Sequence, residues 1–206
     1  PGAEVEVVHR GKPVHLLCYF RGVEGLRAFA RWQADRVRNT RLSTQRHHGT
    51  TAADVVEAAA ARGGVVIPAH IFTPHKAVLA AAPAVSEVIP PELWAAVPAV
   101  ELGLSADTAL ADQLPELSRF PFVTNSDAHS LGRIGREYNQ LLLREPSFDE
   151  WLRALREEGG RRILANFGLD PRLGKYHRTF CLDCGRKVEG DPPVLRCPAD
   201  PAHRVV

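Results

Sequence analysis

The sequence predicts an α/β fold, with strands and helices alternating along most of the chain and a small cysteine-bearing tail at its end. Three observations carry this. Short β-prone runs such as VVIPAH and RRILAN alternate with stretches of helical spacing, without internal repeats. The 206 residues suffice for one full domain with a core and a small appendage. From about residue 168 the chain turns Pro/Gly-rich and carries three of its four cysteines. The expected division is therefore a domain over 1–170 and a tail over 171–206.

The elements follow in order. AEVEVVHR and PVHLLCYF read as two strands joined by a Gly-Lys-Pro turn. VEGLRAFARWQADRVRN has helical spacing, with Leu26, Phe29, Ala30, Gln33 and Val37 along one face. RLSTQRHHG is a polar connector, and Thr50 or Thr51 is placed to cap AADVVEAAAARGG. VVIPAH is a short buried strand. PPELWAAV is a short helix, AVELGLS a strand, FVTNSDAH a strand, QLLLR a strand, SFDEWLRALREEGG a helix and RRILAN a last strand. This alternation predicts a largely parallel sheet.

Composition narrows the function classes. Hydrophobic residues make up 45% and charged residues 24%, as in ordinary globular proteins. No apolar run approaches a membrane span and no signal peptide is visible, so no membrane partner is expected. A net charge of +2 excludes a global basic field, so contact with nucleic acid would be local. Cysteines clustered at metal-like spacing suit a reducing cytoplasm better than a disulfide framework. The opening PGAEVEVV reads as mid-strand and the chain has no Met. A fragment whose start lies upstream is expected.

The chemistry-bearing residues gather at strand ends. VVIPAH ends at His70, AVEL carries Glu101, and FVTNSDAH ends in Asp127 and His129. If that last strand stays extended, Asp127 and His129 point to the same side, because residues two apart share a face. The first hairpin adds Glu4, Glu6 and His15. Imidazoles and carboxylates together bind zinc, manganese or iron and can activate water near neutral pH. Taken singly, each has an ordinary structural reading: a hydrogen-bonded core histidine, a helix-capping aspartate, a paired buried acid. Together on one sheet edge they are harder to explain that way.

PGAEVEVVHRGKPVHLLCYF, VVIPAHIFTP, ELGLSAD and NSDAHS, in this order, resemble the later motifs of the polymerase-and-histidinol-phosphatase (PHP) superfamily. The resemblance implies a distorted PHP-type (β/α)7 barrel, partial here, that holds two or three ions of zinc, manganese, magnesium or iron for phosphoester hydrolysis. It assigns Glu4 as a bridging carboxylate, His15 as the strand histidine, His70 as the Ala-His ligand, and Asp127 and His129 as the Ser-Asp-Ala-His pair. His70, Asp127 and His129 would also be the catalytic residues. The superfamily's opening His-x-His motif has no counterpart in this sequence. IPAHIFTP, ELGLSAD, NSDAHS, LGRIGRE and LGKYHRTFC, followed by the Cys-rich tail, further resemble the endonuclease Q family. That implies a DNA-repair endonuclease cutting on the 5′ side of deaminated bases and abasic sites. Small-molecule phosphoesterase activity on the same barrel and a catalytically inactive nucleic-acid-binding module are the alternatives.

The tail reads Cys181-x2-Cys184, then twelve residues, then Cys197-x5-His203. A structural zinc site needs four such ligands. His203 is the expected fourth, with His177 as second choice. A segment this small and Pro-rich is expected to need the metal to fold. DNA contacts are expected from the connector that holds Arg36, Arg38, Arg41, Arg46, His47 and His48, and from Lys175, His177 and Arg178 in the tail, because arginine forks suit phosphate. Phe72, beside His70, is a candidate to stack on a displaced base.

Overall fold

A computed structural model describes residues 1–39, 46–174, 178–190 and 194–205. Its first elements are two long strands, β1 (Gly2–His9) and β2 (Lys12–Phe20), paired antiparallel with Glu6 opposite His15. The turn between them is not the expected Gly-Lys-Pro, because Lys12 and Pro13 already pair within β2. It is Arg10-Gly11, both at positive φ (47° and 78°). That is the two-residue hairpin geometry that matches strand twist. Alternation along β1 buries Val5 and Val7 on one face and leaves Glu4 and Glu6 together on the other.

Helix α1 (Val23–Ala34) follows, with Phe29 fully buried. It stops before Val37, and Ala30 is exposed, so the expected apolar face is narrower than its spacing suggested. Helix α2 (Ala52–Ala60) starts at Thr51, whose hydroxyl accepts from the Asp54 N–H while Asp54 accepts from the Thr51 N–H. This reciprocal cap satisfies amide groups that a helix start leaves unpaired. Strand β3 (Gly64–Pro68) then pairs antiparallel with β2.

The fold is mixed α/β, but the expected largely parallel sheet is corrected. β1, β2 and β3 form an antiparallel sheet. β6 (Tyr138–Leu142) and β7 (Arg162–Phe167) are antiparallel too. The parallel pair is β4 (Val100–Glu101) with β5 (Phe122–Val123), each only two residues long. Parallel pairing needs one crossover that returns the chain to its starting end. Among the described residues two helices, α1 and α2, lie between β2 and β3, and the chain enters β3 in the opposite sense. The predicted strands AVELGLS and FVTNSDAH are therefore mostly loop.

Short helices α3 (Val78–Ala81) and α4 (Thr108–Ala111) line the path between β3 and β5. The predicted PPELWAAV helix is a 3-10 segment at Pro91–Ala96. Helix α5 (Phe148–Leu155) is capped by Ser147 and packs on β7. Glu150 of α5 and Arg161 form a buried two-pronged ion pair (2.8 and 2.9 Å). Arg161 is the main reason the Glu150 acid is held down to about 2. The main core joins the hairpin, α1 and α2 through residues such as Leu16, Phe20, Phe29 and Val56, all fully buried. Each contributes on the order of 1.5–3 kcal/mol by leaving water.

The tail forms a small hairpin, β8 (Phe180–Cys181) with β9 (Arg186–Lys187), and Cys181 also bridges to Val205. Among its described residues the buried cluster is Cys181, Val188 and Cys197, with Val194 and Val205 packed against it. Among the described residues no helix is long and apolar enough to cross a membrane.

Candidate metal centres

The first cluster is built on the hairpin. Glu6 lies directly across from His15, and Glu4 is two residues from Glu6 on the same strand face. His15 is buried at 5% exposure, with its Nε2 3.2 Å from Glu6 and its Nδ1 3.1 Å from Glu4 Oε1. The Nδ1 makes no hydrogen bond of acceptable geometry. A carboxylate on one ring nitrogen fixes which nitrogen keeps the proton and leaves the other nitrogen's lone pair for a metal. That is the arrangement here, with Glu6 as the fixing group. Burial opposes ionisation of Glu6, but hydrogen bonds from Arg46 and His15 outweigh it and hold its acid below the usual range. Arg46 lies 2.6 Å and Lys76 3.4 Å from the same carboxylate.

His70 closes the cluster from the other side. Ligand atoms of Glu4, His15 and His70 all lie within 4.8 Å of one another. The His15 and His70 rings meet edge-on at 5.3 Å. Burial, then the neighbouring His15, pushes the His70 imidazole below its usual range, towards the neutral form that binds metal. His70 is not the last residue of a strand, since β3 stops at Pro68. Its φ is +33°, a conformation that side-chain-bearing residues rarely adopt.

Glu101 holds that bend. Its Oε2 accepts the His70 N–H at 2.8 Å, its backbone carbonyl accepts the Ile71 N–H at 2.9 Å, and its Oε1 accepts from Asn125 Nδ2 at 2.6 Å. Sequence alone gave Glu101 as an acid at a strand end. The structure makes it a buried clamp between the His70 turn and the loop that carries Asp127. Burial pushes its acid up to about 7.

Gly103 backs the same turn. It sits at φ +70°, and a Cβ there would lie 2.6 Å from the His70 Cβ and 2.9 Å from its Cα. Gly103→Ala is therefore expected to displace His70 and weaken metal binding about tenfold, as loss of orienting contacts does elsewhere. Gly11→Ala provides the control. It carries the same backbone cost at φ +78°, but nothing lies within 4 Å of its added Cβ, so metal affinity is expected to stay put. Metal titration of both variants reads the difference.

Asp127 and His129 lie at the rim. The strand does not run out to them: β5 ends at Val123 and Asp127 has φ +42°. The same-face argument for the pair is thus corrected, because it holds only in extended chain. A turn brings them together instead. His129 Nδ1 lies 3.0 Å from the Asp127 carbonyl oxygen and 3.7 Å from its Oδ1. Both are substantially exposed, at 78% and 48% of their side chains. Asp127 is close enough for its charge to act on Glu101 and His70. The compact trio itself is Glu4, His15 and His70.

The second cluster is the tail. Cys181, Cys184, Cys197 and His203 bring their ligand atoms within 4.8 Å of one another. Cys184 Sγ is 3.7 Å from Cys197 Sγ and 3.2 Å from His203 Nδ1. Tetrahedral metal–sulfur bonds of about 2.3 Å place two sulfurs about 3.8 Å apart, so this spacing fits a zinc-type site. Backbone N–H groups of Asp200 and Ala199 draw the Cys197 thiol down to about 6, near a ready thiolate. All four cysteines of the chain are free thiols.

The predicted DNA-contacting residues scatter. Arg46 is tied to Glu6. His47 is buried, and burial drives its imidazole down to about 4. Phe72 is half-buried against the main core, so its ring is partly committed there. Arg178 is exposed. Arg41, Lys175 and His177 lie outside the described residues, and so does the His177 alternative for the tail. Phe180 of the tail meets the ring of His75, five residues beyond His70, edge-on at 6.2 Å.

A family model described as PHP-associated matches residues 109–158. The chain is 41% identical over 201 residues to the uncharacterized protein YqxK of Bacillus subtilis (strain 168), covering 95% of this chain and 51% of that protein. It is similar to the lesion-specific endonuclease PfuEndoQ from Pyrococcus furiosus at 32% identity and a TM-score of 0.78, over 100% of this chain and 51% of that one. It is equally similar to endonuclease Q in complex with a 27-mer duplex substrate carrying an abasic lesion at the active site. There the TM-score is 0.79 at 32% identity, over 99% of this chain and 51% of that one. The chain thus spans about half the length of the relatives it matches.

Proposed function

We propose that this chain, which belongs to the PHP superfamily and is similar to endonuclease Q along its whole length, is part of a metal-dependent endonuclease that cuts DNA beside deaminated or abasic lesions. The observation that carries the reading is the trio of Glu4, His15 and His70, with the His15 tautomer set by Glu6. Residues 1–170 form the partial PHP (β/α)7 barrel domain and 171–206 its zinc-binding tail. The free thiols suit the cytoplasm.

Divalent ions bound at the trio would supply Lewis acidity and an activated water for phosphodiester hydrolysis. The chain's own residues do the rest. Glu4, His15 and His70 would hold the ions, with Asp127 and His129 reaching them from the rim. The Glu6 carboxylate, as acceptor, would keep the imidazole proton on His15 Nε2. Glu101 fixes the His70 bend and, through Asn125, the approach to Asp127. His129 and Asp127 are exposed, which leaves this rim open to an incoming DNA strand.

Asp127→Asn in the intact protein tests this reading. Cleavage of uracil-, hypoxanthine- and abasic-site duplexes is expected to fall at least about 100-fold, with the fold retained, because losing a ligand costs at least as much as losing its support. A folded variant cutting at the parent rate would remove Asp127 from the site. Hydrolysis of a small phosphate ester without any cleavage of damaged DNA would favour the small-molecule phosphoesterase. No activity on either would favour the inert module.

A further inference from the structure

The geometry points to the loop over residues 130–136 as a wedge that enters a DNA duplex beside the lesion. This rests on the nuclease reading above and names how that site takes hold of its substrate. Leu131 is 88% exposed and Ile134 69%. Single exposed apolar residues are ordinary, but these two stand three apart on a 3-10 turn, Leu131–Arg133, which Ile134 ends. Residues three apart on a 3-10 turn eclipse one another. Ile134 leaves the turn in extended conformation and closes it with its N–H on the Leu131 carbonyl. The two exposed side chains therefore flank one short turn and offer a small apolar tip.

The tip is braced. The Ile134 N–H donates to the Leu131 carbonyl and the Arg133 N–H to that of Ser130. The Gly135 N–H donates to Ser126 Oγ at 2.8 Å, and that hydroxyl donates to the Glu137 carbonyl at 3.0 Å. Arg136 Nε donates to the Ser126 carbonyl at 2.7 Å. The loop is therefore fixed to the residues that lead into Asp127, and its tip keeps a set distance from the candidate catalytic rim. Exposed Arg133 lies within the tip, and half-buried Arg136 at its base.

The occupant follows from size and charge. Two aliphatic side chains offer far less than the ~1,200 Å² that a stable protein interface buries. They do match a gap between two base pairs, which apolar wedges such as Leu and Ile open while cations take the phosphates. An abasic site or a weakly paired deaminated base is where unstacking costs least.

Two measurements on the intact protein test this. One is the fluorescence rise of 2-aminopurine placed next to an abasic-site analogue in a duplex. The other is the rate of cleaving the lesion in a duplex divided by the rate in an unpaired bubble, a ratio that cancels metal loading and the chemical step. Leu131→Ser with Ile134→Ser is expected to abolish most of the fluorescence rise and to lower the ratio about tenfold. Leu131→Phe, another wedge side chain, should keep both near the parent values. A double serine variant with the parent signal and ratio overturns the wedge while leaving the nuclease reading standing. An intact parent protein that cuts no damaged DNA in either form overturns the nuclease reading, and the wedge with it.

Discussion

His15→Ala is expected to strip the hairpin metal site and to destabilise the fold at once. The ring fills a buried position between two carboxylates, 3.1 Å from Glu4 and 3.2 Å from Glu6. Its removal leaves those acids facing a void. Glu6 keeps Arg46 and Lys76, which limits the cost to about 3 kcal/mol. In a domain of this size that lowers the melting temperature by roughly 6–12 °C. His15→Gln separates the two effects. Its amide can still donate to Glu6 but brings no imidazole nitrogen towards Glu4. The glutamine variant should therefore recover stability and not metal. Calorimetry and elemental analysis read both. An alanine variant with parental melting temperature and metal content would take His15 out of the site.

Cys184→Ser should have the second large effect, confined to the tail. Among the described residues the tail buries little besides its own ligands, so a metal is expected to supply much of what holds it. Binding of a structural zinc ion supplies about 10–16 kcal/mol in peptides of this kind. Losing one of four ligands should cost one equivalent of zinc and open β8 and β9 to trypsin at Arg186 and Lys187. Duplex affinity should fall, while hydrolysis of a small chromogenic phosphodiester continues. Unchanged zinc content together with an unchanged trypsin pattern would mean that the cysteines serve another purpose.

The sequence disclosed the site unevenly, and the reasons are physical. The hairpin was legible as two strands from alternation, but its register was not. The turn falls at Arg10-Gly11 and not at Gly-Lys-Pro, and only the pairing this sets, Glu6 opposite His15, puts Glu4, Glu6 and His15 on one face. Glu6 was visible as an acid, but its service to His15 needed that register to be followed one step further. The tail was legible from spacing, because a Cys-x2-Cys turn is a local geometry. His203 lies beside the three cysteines. Strand direction was not legible. Alternating strands and helices do not reveal how many helices lie in each connection, and the pair α1–α2 reversed the sense of β3. The Asp127–His129 pairing was anticipated for the wrong reason, since a turn at Asp127 and not an extended strand joins the two. Glu101 as a clamp could not be read at all. Its partners His70 and Asn125 lie 31 and 24 residues away and meet it only once β4 and β5 are paired.

The left-handed bends at His70 and Asp127 also set a tempo. Each costs on the order of 1–3 kcal/mol of backbone energy, and hydrogen bonds within the protein offset that cost. Glu101 holds the first bend through the His70 N–H, and the Ser126–Arg136 contacts brace the approach to the second. An arriving ion therefore meets donors that are already aimed. With both bends held by contacts inside the protein, ion capture is expected to be paced by loss of the ion's water shell and not by closure of a loop.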